Sequence, residues 1–422
     1  MVSYDDRVGS PEQATYLLLY MPSMLRRYQL WLWILVFLSP GYSMWAQQLS
    51  FRYLGKDQGM NSLASWNCAL DQHGFIWIAS TDGLVRFNGK ETTYFFQETH
   101  PEMPADQIGF ILCDSRNRIW VCFDKGLLRI DENRKFKSQV IVEDKPDIKA
   151  SACFEDPDGN IYTITSEGAF SSSKGEGKWE SQSWLDSLID GRRFRDIRRF
   201  DKERYLIVLP SAGVLLVNLK EKKQEVFIPG KGISSVTRFD DRSILVGKNG
   251  GFNLFYVSFD QPEIQRRIET PTFFSDSNLH ETINYMVRAA DQKIYMTTVG
   301  AGLVCLDSSL HTYKLYAHDP VDPSTIANNS LRYIVADTTG NLVITSLDGV
   351  NYTNVHNSAV EYVNYLRLED GEIIDKRVIS IAEDRYKKLW LCTTDDVYIH
   401  DHSSNTTKRI YIPPEAHLKS AI

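Results

Sequence analysis

The chain has 422 residues, of which 43% are hydrophobic, 12% aromatic and 24% charged, a profile that excludes an intrinsically disordered protein. Its formal net charge of −7 argues against a general nucleic-acid footprint, and the local run Asp190-Gly-Arg-Arg-Phe-Arg195 reads as a solvated loop. The length exceeds one ordinary domain unless the fold is an array of repeats.

At the N-terminus, Met24-Leu-Arg-Arg27 is a positively charged n-region followed by the short apolar run Leu30-Trp-Leu-Trp-Ile-Leu-Val-Phe-Leu38. With Ala46 closing a segment that starts at Pro40, residues 24–46 read as a signal peptide and Gln47 as the first mature residue. An uncleaved anchor is the alternative, because Met44 and Trp45 suit a cleavage site poorly. Residues 1–23 read as a leader or a mis-assigned start, with Met24 or Met21 as the true one. Export then places the rest of the chain outside the cytoplasm, in the periplasm.

The next distinctive stretch is Asp71-Gln-His-Gly74-Phe-Ile-Trp77-Ile-Ala-Ser80-Thr-Asp-Gly83-Leu84. Asp71 and Gly74 suit a tight turn, and Thr81-Asp-Gly83 a second one. Between and after them lie the strands Phe75–Ala79 and Leu84–Phe87. The pattern returns as Asp114…Trp120…Gly126-Leu127, and as Asp156…Tyr162…Thr165…Gly168-Ala169. It then weakens through Asp201…Ile207…Gly213-Val214 and Asp241…Ile244…Gly250. Clearer copies follow at Asp291…Tyr295…Thr298…Gly302-Leu303, Asp337…Val343…Ser346…Gly349-Val350 and Asp384…Trp390…Thr393…Val397. The anchor positions 77, 120, 162, 207, 244, 295, 343 and 390 are 37 to 51 residues apart, the range of propeller repeats. Each unit holds four strand-like runs, one antiparallel blade.

These observations predict an all-β fold, a β-propeller of four-stranded antiparallel blades. Seven blades fit residues 47–375, and residues 376–422 then hold a further repeat that starts a second propeller; eight blades in one ring is the alternative. The strand at Phe51–Leu54 is expected to complete a blade built mainly by later sequence, which removes a free sheet edge. The recurrent Trp or Tyr is read as the contact between blades, and the repeated Asp as turn chemistry rather than an acid pair for glycoside hydrolysis. Cys68, Cys122, Cys153 and Cys392 fall at equivalent repeat positions and read as small core hydrophobes. No Cys or His spacing indicates a metal, and no cofactor is expected.

The spacing Asp-x-x-Gly-x-x-Trp-x-x-Ser/Thr-x-x-Gly-Leu resembles the two-component-regulator propeller repeat, and differs from Asp boxes, which place Asp two residues before Gly. Phe51-Arg-Tyr-Leu54, Gly59-Met-Asn-Ser62 and the linker His318-Asp-Pro-Val-Asp-Pro-Ser-Thr-Ile326-Ala-Asn-Asn329 also resemble that family's segments. The resemblance implies the extracytoplasmic sensor region of a Bacteroidetes-type hybrid two-component system, one that detects oligosaccharides. It further implies that this chain is a fragment, a truncated gene product or a stand-alone module. The histidine kinase and output domains of full-length relatives, and their membrane helix, are absent from it, so no enzyme activity is expected. Its partners would be an oligosaccharide or small-molecule ligand, and a second copy of the full sensor. It would meet the membrane only through the signal segment or a missing C-terminal part. An exported glycan-acting propeller enzyme and a protein-binding scaffold are the competing readings.

Propeller ligands sit on loops over the channel mouth. The least repetitive polar residues in the loops leading into the inner strands are Asn61, Gln107, Arg193, Asn284, Asn329 and Arg377, and these are the candidate ligand-binding residues. Arg, Asn and Gln suit hydroxyl-rich or acidic sugars through multiple hydrogen bonds.

Overall fold

A computed structural model describes residues 49–56, 59–60, 64–190, 192, 194–269, 271, 281–356, 366–368, 371–374, 377–401 and 406–410. The leader and signal segment, Asn61 and Arg193 lie outside the described residues, as does the proposed boundary at 375 and 376.

The described residues form eight four-stranded antiparallel sheets and one two-stranded pair. The first six in chain order are each built from consecutive strands; the first comprises Ser65–Leu70, Ile76–Ser80, Gly83–Phe87 and Thr92–Phe95. The seventh takes Leu331–Ala336, Asn341–Ser346 and Val350–Asn354 from late sequence, and Arg52–Leu54 as its outer strand. The inner strands of these seven sheets neighbour one another in cyclic order. The last of them, Leu331–Ala336, lies against both Ile283–Arg288 of the sixth blade and Ser65–Leu70 of the first. This is a β-propeller closed by its N-terminal strand, with Arg52 opposite Tyr352 and Leu54 opposite Val350. The eighth sheet, Val378–Glu383, Leu389–Thr393, Val397–Asp401 and Thr406–Ile410, shares no strand with the others.

Each letter of the repeat has a local physical reason. The first oxygen of the Asp closes the turn, as Asp71 Oδ1 accepts from the amides of His73 (3.0 Å) and Phe75 (2.9 Å). Its second oxygen takes the anchor side chain: Trp77 Nε1 donates to Asp71 Oδ2 at 3.0 Å, Trp120 Nε1 to Asp114 at 2.8 Å, and Tyr295 Oη to Asp291 at 2.9 Å. The Ser or Thr staples the next turn, with Ser80 Oγ donating to the Gly83 carbonyl at 2.7 Å and Thr298 Oγ1 to that of Gly302 at 2.7 Å. The motif Gly has positive φ, and in the first, fourth, sixth and seventh blades it abuts a carbonyl of the outer strand. A Cβ on Gly83 (φ 125°) would lie 2.6 Å from the Phe95 carbonyl oxygen. The turn reading of the Asp residues therefore stands on direct hydrogen bonds.

Asp114 is 2% exposed and accepts four hydrogen bonds, two of them from Arg118 Nε and Trp120 Nε1 on Oδ2. Asp114→Asn would turn an amide nitrogen or lose an acceptor toward those donors. The expected loss is about 1–3 kcal/mol of unfolding free energy in urea titration; an unchanged midpoint would count against the role assigned to Oδ2.

Between blades the anchors are packed away from water, Trp77 among Phe95, Met103, Ile108 and Val121, and Tyr162 against Tyr205 and Ile207. Two anchors differ from the sequence reading. In the fourth blade Leu206, not Ile207, faces the fifth, and in the fifth Leu245, not Ile244, faces the sixth. In both blades the turn Asp sits one residue further into a hairpin of unchanged length, Phe200 closing onto Arg204 and Phe239 onto Ser243 as Asp71 closes onto Phe75, and the fifth uses Asp240 rather than Asp241 as its acceptor. The fourth compensates with an added residue in the next turn, Leu209 pairing Gly213 across three residues instead of two.

Cys122 and Cys153 meet across the second and third blades, sulfur to sulfur 3.2 Å, both buried. Burial pushes the Cys122 thiol well above its usual range. One short helix, Ser183–Ile189, interrupts the β pattern, and its Asp186 accepts from the amide of Ala169. The linker has a structural role. His318 N–H donates to Asn329 Oδ1 (2.6 Å), its ring contacts the Ile326 carbonyl (2.8 Å), and the Ser324 carbonyl receives the Phe51 amide (2.7 Å). The linker thereby docks the closing strand.

Candidate functional site

The side chains at one mouth of the channel are placed by a shared irregularity of the inner strands. The inner strand skips a residue in its pairing between Ser65 and Asn67, Ile108 and Phe110, Ala150 and Ala152, Ile233 and Ser235, and Ile283 and Tyr285. In the seventh blade it skips two, between Leu331 and Ile334. A bulged residue leaves the ladder and its side chain is re-aimed. The residues so released toward the mouth are Trp66, Gly109, Ser151, Ser234, Asn284 and Arg332; Tyr333, the second residue skipped in the seventh blade, is buried. The fourth blade pairs regularly and presents Arg195, just before its inner strand Asp196–Arg199.

Three of these residues are small and four are large. The large ones join into an arc. Arg195 Nε donates to the Ser234 carbonyl and its Nη2 reaches the carbonyl (3.3 Å) and Oδ1 (3.4 Å) of Asn284. Asn284 Nδ2 donates to the Leu331 carbonyl at 3.0 Å. Next to it, the Arg332 guanidinium lies 4.0 Å from the ring centroid of Trp66, which is 39% exposed. The arc thus runs through the fourth, fifth, sixth, seventh and first blades. Gly109 and Ser151 leave the second and third without a large side chain at this level.

Deeper in the channel, Arg198 Nε donates to Asp196 Oδ2 at 2.6 Å, and the guanidinium lies 5.2 Å from the Tyr285 ring and 4.9 Å from that of Tyr333. The two tyrosines meet edge to face at 4.7 Å. One side chain of the fourth blade therefore touches the sixth and seventh. Burial pushes the Asp196 carboxyl above its usual range against the pull of Arg198, and pushes Tyr285 up to about 12. Arg198 stays protonated, since burial alone cannot strip a guanidinium with a carboxylate at its side. Its Nη2 is buried and has no hydrogen-bond partner among the described residues.

Of the residues named from the sequence, Asn284 belongs to this arc. Gln107 is exposed just before the inner strand of the second blade. Asn329 is taken up by the linker, its Oδ1 accepting from His318 and its carbonyl from the Gly302 amide. Arg377 is exposed before the first strand of the separate eighth sheet. Asn61 and Arg193 lie outside the described residues. The solvated-loop reading of the 190–195 run is corrected at Arg195, which is half-buried and bonded across the mouth. Trp66 and Arg332 carry no letter of the repeat and no turn signal that would single them out in the sequence.

No family model matches the chain, and no curated protein does either. Solved structures do. The extracellular domain of BT3049, named as a hybrid two-component system of B. thetaiotaomicron, superposes with a TM-score of 0.61 at 18% identity. That match covers 86% of this chain and 49% of the other. The extracellular domain of BT4673 from the same organism gives 0.57 at 16% identity, over 86% and 54%. A virginiamycin B lyase from Staphylococcus aureus gives 0.55 at 13% identity, over 73% and 100%. These likenesses show the propeller fold. The chain spans about half the length of the two extracellular domains.

Chemically, the mouth offers guanidinium and amide donors beside an aromatic face, a set that binds and orients polar ligands. Among the described residues no group of three His, Cys, Asp or Glu side chains is arranged to hold a metal ion, and no helix is long and apolar enough to cross a membrane.

Proposed function

We propose that this chain is the extracytoplasmic ligand-sensing propeller of a two-component signalling system, and that its cue is an oligosaccharide or related glycan. It would act by binding, with kinase and output domains supplied outside this stretch of chain and the full sensor pairing as a homodimer. The observation that carries the reading is the arc Arg195–Asn284–Arg332–Trp66. It gathers non-repeated polar and aromatic groups at a channel mouth, where the rest of the repeat is committed to turns and packing. The likeness in fold to two sensor ectodomains over 86% of the chain supports the signalling role.

Calorimetric titration of the whole chain with a panel of oligosaccharides tests it. Saturable binding that leaves the sugar intact, weakened about tenfold or more by Trp66→Ala, is the expected result. New reducing ends or unsaturated products would replace the sensor with a glycan-acting enzyme. Stable co-purification of a protein partner without any sugar binding would replace it with a scaffold.

A further inference from the structure

Resting on the sensing reading, we infer that the channel mouth is an anion-selective subsite: its ligand carries a carboxylate or sulfate group, held between Arg332 and Arg195, with a flat apolar face seated toward Trp66. The chemical class is an acidic saccharide.

The charges around the arc support this. Arg198 is matched by Asp196, whose carboxylate is its ion-pair partner at 2.6 Å. Arg332 and Arg195 have no such match: among the described residues neither lies within ion-pair distance of a carboxylate. Arg332 is held instead by its stack on Trp66, and its buried Nε has no hydrogen-bond partner among the described residues. Arg195 spends its donors on the carbonyls of Ser234 and Asn284 and on the Asn284 side-chain oxygen, all neutral acceptors. Taking a guanidinium out of water without a counter-charge is costly, and a binding site is where such a cost is offset by the incoming ligand. Burial lowers the Arg332 pKa with no opposing charge, the behaviour of a cation lacking its anion.

Several other arginines carry a carboxylate: Arg118 pairs with Asp114 and Glu176, Arg204 with Asp201 and Glu225, and Arg409 with Glu372. Arg86, stacked on Phe75, and Arg288, bonded to the Phe239 carbonyl, have none among the described residues, but Arg86 lies on the third strand of its blade and Arg288 at the far end of its inner strand. Arginine's planar fork suits carboxylate and sulfate oxygens. Asp196 beneath the arc is engaged with Arg198, which leaves it no part in matching Arg195 or Arg332. Trp66 keeps over a third of its surface open, which leaves ring edge for an apolar sugar face. The small residues Gly109 and Ser151 opposite the arc leave width for a ring larger than the anion itself.

Two measurements on the whole chain test this. In the first, D-glucuronate and D-glucose are titrated against intrinsic tryptophan fluorescence, with circular dichroism checking the fold of each variant. Saturable quenching by glucuronate alone is expected, weakened about tenfold to a hundredfold by Arg332→Gln or Arg195→Gln. Arg332→Lys, which keeps the charge and loses the fork, should fall between, and Lys90→Ala, on the exposed turn of residues 88–91, should bind as the parent does. In the second, a glycan array of matched acidic and neutral oligosaccharides should give signal on the acidic members only. Equal signal on neutral members, or retention of glucuronate binding in Arg332→Gln and Arg195→Gln, would overturn the anion subsite and leave glycan sensing standing. Glucuronate binding with no signal from any oligosaccharide would overturn the glycan reading and leave the subsite. Silence in both would overturn both.

Discussion

Trp120→Ala is expected to lower the unfolding free energy by about 4 kcal/mol, whereas the same change at Trp390 should cost about 1 kcal/mol or less. The two tryptophans occupy the same repeat position and make the same bond, Nε1 to the turn Asp at 2.8 Å and 3.1 Å. Their surroundings separate them. Trp120 is fully buried, edge-on to Trp179 at 6.1 Å, and a Cβ on Gly175 would come within 2.5 Å of its ring. Removing it leaves a cavity between the second and third blades that rigid sheets cannot collapse to fill. Trp390 is 36% exposed, and the first strand of its sheet, Val378–Glu383, is exposed throughout. Its indole covers little that water does not already reach. Urea unfolding followed by far-UV circular dichroism measures both. Equal costs would mean that the repeat position matters more than its covering, contrary to the packing described here.

That contrast marks what the sequence can and cannot say. Asp71, Trp77, Ser80 and Gly83 were legible because each answers a requirement met within about a dozen residues: a turn acceptor, its indole donor, a turn staple and a positive φ. Repetition then made the propeller legible, and the Phe51–Leu54 strand followed from the need to hide an edge. The exact inward registry of the fourth and fifth blades was not legible. An Asp set one residue deeper in its hairpin and, in the fourth, a lengthened following turn keep the spacing from Asp201 to Gly213 unchanged while moving the seam residue from Ile207 to Leu206. The arc was the least legible part. Trp66, Arg195, Asn284 and Arg332 come from separate blades, and a β-bulge has no sequence signature of its own. Asn284 was reachable as a non-repeated polar residue before a strand. Arg332 and Trp66 look like ordinary strand residues until ring closure brings the seventh and first inner strands side by side.

The closure itself carries the second large effect. Gly349→Val is expected to cost about 4 kcal/mol and to release the closing strand, while Gly74→Ala should cost about 1 kcal/mol. Both glycines have positive φ, 129° and 81°, so both substitutions strain the backbone. Only Gly349 has a neighbour in the way. A Cβ there would sit 2.5 Å from the Leu54 carbonyl oxygen and 2.9 Å from the Tyr53 ring, whereas at Gly74 nothing lies within 4 Å. The Leu54 oxygen belongs to the only strand that joins the two ends of the ring among the described residues, so the clash is relieved most easily by its departure. Leu49, Phe51 and Leu54, all buried, would then leave their places against Tyr316, Ile326 and Val350. The Phe51 amide would lose the Ser324 carbonyl, and Thr353 Oγ1 the Ser50 carbonyl at 2.6 Å. Hydrogen exchange reads this directly, because the strand Val350–Asn354 would become an open edge and its amides should lose protection in Gly349→Val but not in Gly74→Ala. If protection there survives Gly349→Val, the ring holds without Arg52–Leu54. The stability of the mouth, whose Arg332 and Trp66 sit on the two blades joined at that seam, would then have to come from the inner strands alone.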